Sequence, residues 1–157
     1  MRATRTRIQA GFTLLEILVV LTIAALLLVV VPPMLNGSME SAEFKSSVRD
    51  LAAGMRLARS SAIVENRSVA VILDVKDRSF QITDSGEIRH FPQDLSVTLN
   101  TASSEMIDEN RGAIRFFPDG SATGGSVVLQ AKNQALEVSV DWLTGRISIS
   151  DKEGVST

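Results

Sequence analysis

From Phe12 to Val31 the chain reads FTLLEILVVLTIAALLLVVV, twenty residues with one charge, Glu16, and two threonines. As a helix this run spans about 30 Å, the thickness of a bilayer's hydrocarbon core. Three arginines, Arg2, Arg5 and Arg7, precede it, and no basic residue follows until Lys45. By the positive-inside rule the N-terminus stays cytoplasmic and everything after the run is exported. The overall net charge of −2 hides this asymmetry. Without the three arginines of the first eleven residues, thirteen basic residues face eighteen acidic ones, a net −5. A mildly acidic body disfavours a nucleic-acid backbone as its main partner.

Two simple accounts of the run fall short. A cleaved secretory signal has an apolar core of roughly 7–15 residues ending in a small-residue site. Here the run is longer and meets Val31-Pro32-Pro33-Met34, with no A-x-A-like site. A plain membrane anchor explains the length but not Glu16, because a carboxylate in hydrocarbon costs a few kcal/mol, roughly 2.5–3.5, and marks a function by default.

The residues Gly11-Phe12-Thr13-Leu14-Leu15-Glu16 supply that function. This stretch, behind a basic leader and ahead of a long aliphatic run, resembles the processing site of type IV prepilins and type II secretion pseudopilins. The resemblance implies that a prepilin peptidase cuts between Gly11 and Phe12 and methylates the new amine of Phe12. Cutting removes three arginines and leaves one cation at the start of a membrane helix. Glu16 lies one turn on, where the helix dipole tolerates a carboxylate. Its implied partner is the N-terminal amine of a neighbouring subunit, a pairing that would set axial register while removing two charges from the membrane.

Beyond Pro32 and Pro33, where a kink is expected, Phe44, Val48, Leu51, Met55, Ala58 and Ala62 recur at spacings of 4, 3, 4, 3 and 4. That stripe predicts a helix covering a sheet, with Glu40, Glu43, Lys45, Arg49, Asp50, Arg56, Arg59 and Glu65 at the other, partly solvated positions. After Asn66 the period changes. Strands are expected over 68–75, 79–83, 87–91, 95–99, 113–117, 126–130, 136–142 and 146–150, the last two as a hairpin. Turn signals separate them at Lys76-Asp77, Ser85-Gly86, Pro92-Gln93-Asp94, Pro118-Asp119-Gly120, Gly124-Gly125 and Thr144-Gly145. Residues 101–112 lack periodicity and read as an exposed, mobile loop. The fold class is α+β: a type IV pilin-like long N-terminal helix on an antiparallel sheet domain. Its expected parts are a leader at 1–11, a transmembrane helix at 12–31, an amphipathic continuation at 32–66 and a periplasmic β-rich domain at 67–157.

The stretch Phe116-Phe117-Pro118-Asp119-Gly120-Ser121-Ala122-Thr123-Gly124-Gly125, followed by a strand and Asp141-Trp142-Leu143-Thr144-Gly145-Arg146, is similar to H-type minor pseudopilins of type II secretion and their FimT-like pilus relatives. It reads as turn structure. Neither G-x-S-x-G nor G-x-x-x-x-G-K-[ST] is present, so nucleophile-elbow and phosphate-loop chemistry have no support. His90 is the only histidine and there is no cysteine, which excludes a Cys–His pair, a multi-histidine metal site and any disulfide. Asp74, Asp77 and Asp84 suggest calcium only weakly, and Asn66-Arg67-Ser68 is a glycosylation pattern frequent by chance.

The resemblance implies a non-enzymatic structural subunit without cofactor, placed near the tip of a periplasmic pseudopilus. Its implied partners are the peptidase, the other major and minor pseudopilins and an inner-membrane assembly platform, together with secreted exoproteins or an outer-membrane channel. Its implied location is the bacterial inner membrane, crossed once, and then the filament. The alternative is a FimT-like minor pilin of a type IV pilus, acting in assembly or DNA uptake. That reading expects a basic cluster on the exposed domain, whereas the chain's end reads Asp151-Lys152-Glu153-Gly154.

Overall fold

A computed structural model describes residues 13–152 except 84 and 133, and gives no side-chain description for 28–40. Gly11, Phe12, Arg2, Arg5 and Arg7 therefore lie outside the described residues. The chain divides into two units, Met1–Glu40 and Ser41–Thr157. Helix α1 runs from Leu14 to Glu65. Helical structure continues through Pro32 and Pro33, so the expected interruption does not end the element. A proline removes one i→i−4 bond and disturbs one carbonyl, and the rest of the ladder survives.

In the second unit the predicted stripe is the buried face. Phe44 and Val48 are 1% exposed, and Leu51, Met55, Ala58 and Ala62 are 0% exposed. Ser47, also buried, donates its hydroxyl to the Glu43 carbonyl at 3.0 Å, so it carries no unmet polar group inward. Asn66 ends the helix in a left-handed conformation (φ 51°) and Arg67 N–H returns to the Ala62 carbonyl at 3.2 Å. This is the usual role of Asn just past a helix C-terminus.

Among the described residues eight strands follow: β1 Val69–Asp74, β2 Ser79–Ile82, β3 Ile88–His90, β4 Ser96–Asn100, β5 Arg111–Phe116, β6 Gly125–Ala131, β7 Gln134–Val140 and β8 Ile147–Asp151. They form two antiparallel sheets instead of one, ordered β3-β2-β1-β5 and β4-β6-β7-β8. The first sheet turns on β1, which pairs β2 on one side and β5 on the other, with Val71 opposite Ile82 and Ile114. In the second, β6 and β7 close through a two-residue connection, Ala131 opposite Gln134. Its Lys132 carries no glycine or proline signal. Val69, Val71, Leu73, Ile114 and Phe116 from one sheet and Val127, Leu129, Val138 and Val140 from the other join the helix stripe in a single core. Burying side chains such as Phe44, Leu51 or Met55 contributes about 1.5–3 kcal/mol each, so this stripe is what holds the helix to the sheets.

Two expected loop features differ. Gly124-Gly125 is not a turn but leads straight into β6. Both glycines take positive φ, 75° and 138°, and both lack room: a Cβ would stand 3.0 Å from Trp142 Cβ at Gly124 and 2.7 Å from the Asn100 carbonyl oxygen at Gly125. The 101–112 segment, exposed as expected, is built: it holds a 3₁₀ turn at Ser103–Glu105 and a bridge between Met106 and Gly112. The Asp108 carboxylate accepts from the Asn110 N–H at 2.9 Å, the Arg111 N–H at 2.8 Å and Arg111 Nε at 2.7 Å. Glu105 and Arg115 pair through two contacts of 3.1 Å. Side-chain bonds of this kind order a segment without leaving any periodicity to read.

Candidate functional site

At the N-terminal end of α1, Thr13 is the cap. Its carbonyl accepts the Ile17 N–H and its hydroxyl accepts the Glu16 N–H, both at 3.2 Å. Thr13-x-x-Glu16 has the capping-box spacing, a signal in the sequence that its resemblance to a processing site overshadows. Glu16 thus stands in the first turn, where the dipole favours a negative charge. Around it the helix is apolar on every side and uncovered: Leu14 is 86% exposed and Leu15 73%. Thr22 donates its hydroxyl to the Leu18 carbonyl at 2.7 Å and so asks nothing of its surroundings. Among the described residues no helix is long and apolar enough to cross a membrane; the end of the apolar run, 28–31, lies outside the described side chains.

In the second unit, the two halves of the C-terminal pattern meet. The turn at 117–121 closes through Gly120 N–H to the Phe117 carbonyl at 2.9 Å and Phe117 N–H to the Ser121 carbonyl at 3.0 Å. Ala122 N–H reaches the Trp142 carbonyl at 2.9 Å and so joins this turn to the β7–β8 connection. Thr123 braces the other side, its hydroxyl accepting the Arg115 N–H at 3.0 Å. Arg59 completes the junction from the helix: Nε donates to the Gly120 carbonyl at 3.0 Å and Nη2 to the Thr144 carbonyl at 2.9 Å. These bonds contribute about 1.5–3 kcal/mol each, comparable to one core side chain, and unlike apolar burial they have direction. Arg59 therefore sets where the two turns sit.

The sequence reading places Arg59 off the buried stripe, and it is half-buried instead. A signal was available. Arg59 follows Met55 by four and precedes Ala62 by three, which puts it at the margin of the buried stripe. Gly145 shows how close the approach is. It has φ 59°, and a Cβ there would collide with the Gly120 carbonyl oxygen and stand 2.8 Å from Arg59 Nε. Only glycine gives both the backbone angle and the space.

Asp141 organises the β7–β8 turn. Its Oδ1 accepts the Thr144 hydroxyl at 2.7 Å and the Thr144 N–H at 2.8 Å, and these bonds hold its pKa below the ordinary 3.8. Asp119 behaves alike through the Ser121 hydroxyl and N–H. Asp108 is lowered chiefly by the Asn110 N–H, then by the Arg111 side chain. A carboxylate lowered in the fold stabilises it above the unfolded pKa and loses that contribution as pH falls through the folded one. The thermal midpoint of the full-length protein in detergent should therefore drop as pH falls below about 5 and through the carboxylate range. Asp141→Asn should flatten part of that slope, leaving the shares of Asp108 and Asp119; an unchanged slope would remove Asp141 from the account.

Asp74 and Asp77, two of the three aspartates considered for calcium, serve the β1–β2 turn, Asp74 Oδ1 accepting the Asp77 N–H at 2.8 Å. Asp84 lies outside the described residues, among which no three His, Cys, Asp or Glu side chains are grouped to hold a metal ion.

Comparison with known proteins covers both regions. A family model described as type II transport protein GspH matches residues 47–145, and a prokaryotic N-terminal methylation motif matches 6–32. The type II secretion system protein H of Xanthomonas campestris pv. campestris is 31% identical over 137 residues, covering 87% of this chain and 80% of that protein. In fold, the minor pseudopilin EpsH of the Vibrio cholerae type 2 secretion system superposes with TM-score 0.56 at 15% identity, over 69% of this chain and 97% of that one. The type IV minor pilin FimU of Pseudomonas aeruginosa gives 0.53 at 19%, over 71% and 90%. The fold is thus type IV pilin-like, as expected.

Proposed function

Because this chain belongs to the GspH family of type II transport proteins, we propose that it works as a minor pseudopilin of the type II secretion system. It is a structural subunit that assembles with other pseudopilins. The observation that carries this reading over the pilus alternative is the family match across 47–145, which includes the whole Arg59 junction. The finer assignments are ours. Prepilin peptidase cuts between Gly11 and Phe12 and methylates Phe12; Arg2, Arg5 and Arg7 hold the leader in the cytoplasm; the helix from Phe12 to Val31 crosses the inner membrane. The second unit then lies in the periplasm, near the filament tip. An inner-membrane assembly platform extends the filament, which brings this unit to exoproteins or the outer-membrane channel. What supports these assignments is the N-terminal methylation motif over 6–32 and the uncovered apolar helix behind the Thr13 cap.

Deleting the gene in its own host tests the reading. Folded exoproteins should accumulate in the periplasm, while pilus-dependent motility and DNA uptake stay normal. Intact secretion with lost DNA uptake would favour the pilus role. In the same strain, Gly11→Val should leave the chain unprocessed, which mass spectrometry of the N-terminal peptide reads directly. Finding a methylated Phe12 in that variant would remove Gly11 from the cleavage site.

A further inference from the structure

Arg56, Arg59, Asp141, Thr144, Gly145, Arg146 and Ile147 line an open groove of about 690 Å³ between α1 and the β7–β8 turn. We propose that this groove docks a carboxylate-rich segment of a neighbouring protein subunit. Three guanidinium-bearing residues face one acid across it, an excess of two positive charges. The acid is already engaged, since Thr144 occupies Asp141 Oδ1 through both its N–H and its hydroxyl. Among the described residues neither Arg56 nor Arg146 stands within salt-bridge distance of a carboxylate, and Arg146 acts on Asp141 only through space, as one of the lesser causes of its lowered pKa. Arg59 spends Nε and Nη2 on carbonyls, so its charge meets no carboxylate.

The site is also pre-organised. Arg59 is fixed at both bonds and Gly145 lies close against Gly120, so the floor of the groove keeps its shape while Arg56 and Arg146 stand exposed at its rim. Planar guanidinium forks match carboxylates in geometry. Two observations favour a protein over a nucleic acid. The chain after Gly11 carries a net −5, so a duplex seated here would press its flanking phosphates against an acidic body. Beside the groove, on the same turn, Trp142 is 65% exposed and Leu143 63%. Arginine with exposed tryptophan is the composition of a protein-interface centre. Only the identity of the partner rests on the pseudopilin reading; the groove's preference is measured separately from it.

Trp142 is the chain's single tryptophan, so its fluorescence reports the site. Full-length protein in neutral detergent would be titrated with hexaglutamate, hexaglutamine and a 12-base-pair DNA duplex. Hexaglutamate should give a saturable, salt-sensitive change, hexaglutamine none. The double variant Arg56→Gln/Arg146→Gln, which loses no hydrogen bond to its own fold, should bind hexaglutamate about tenfold more weakly. Its thermal midpoint, unchanged, separates lost docking from lost folding; if the midpoint falls, Arg56→Gln alone carries the comparison. No hexaglutamate binding, binding indifferent to the arginines, or tighter binding of the duplex would each overturn the proposal.

Discussion

Glu16→Ala should be cut, methylated and inserted normally, yet be missing from the filament. The three requirements separate on energetic grounds. Losing a carboxylate from a first helical turn costs about 0.3–1 kcal/mol, and Thr13 still caps the helix through the Glu16 N–H, which alanine retains. Insertion becomes easier, because a charge at membrane depth costs roughly 2.5–3.5 kcal/mol. What disappears is the one charge in the apolar run from Phe12 to Val31, the feature that distinguishes a single axial register there. Glu16→Gln sharpens the test, since it keeps size and hydrogen bonding and removes only charge. Both variants should appear fully processed on immunoblots and be depleted at least about tenfold from sheared filaments or from crosslinks to neighbouring pseudopilins, the counterpart of a buried-pair loss of 1.4 kcal/mol or more. Normal incorporation of the glutamine variant would show that shape, and not charge pairing, sets the register.

The second large effect belongs to Gly145→Val. A left-handed angle costs a β-branched residue about 1–3 kcal/mol by itself. At Gly145 the new Cβ also runs into the Gly120 carbonyl and crowds Arg59. The variant has to break the bond between them or move the turn. A total of about 3 kcal/mol or more is expected, from strain plus a charged hydrogen bond. Gly86→Val is the matched control: its φ is 67°, yet nothing lies within 4 Å of the added Cβ. It should show the angular cost alone, about 1–3 kcal/mol. Urea unfolding of the two variants in detergent measures the difference. Equal losses would mean that the junction yields without resistance and that the close approach contributes nothing.

The parts of this molecule legible in its sequence are those whose cause is local. The helix stripe from Phe44 to Ala62 declares itself by spacing, and all six residues are buried. Most of the eight described strands are bounded by glycine, proline or aspartate turns, the β6–β7 connection excepted, and each lies within a few residues of its expected range. The division into two sheets had no local cause. It depends on β1 pairing with β5 across the three intervening strands, and no property of either segment announces the other. The 101–112 segment is the exposed loop expected, but its internal bonds were hidden for a related reason: they come from Asp108 accepting backbone N–H groups, and hydrophobic periodicity does not register such bonds. Glu16 was readable because a lone charge in an apolar run is conspicuous. Arg59 was not, because a charge on a helix already rich in charges looks solvated until its carbonyl partners, far along the chain, are seen.

That separation in sequence has a consequence for the order of events at synthesis. The two carbonyls that hold Arg59 lie 61 and 85 residues after it, and the strand next to the second carbonyl is the last among the described residues. On the proposed topology the helix leaves the membrane with its guanidinium unmatched. Its partners arrive only when Gly120 and then Thr144 have crossed. Closing loops of that length costs entropy that is repaid late. The β7–β8 hairpin is therefore the piece that finishes the domain, and a subunit whose export stalls before Thr144 lacks both the junction and the groove beside it.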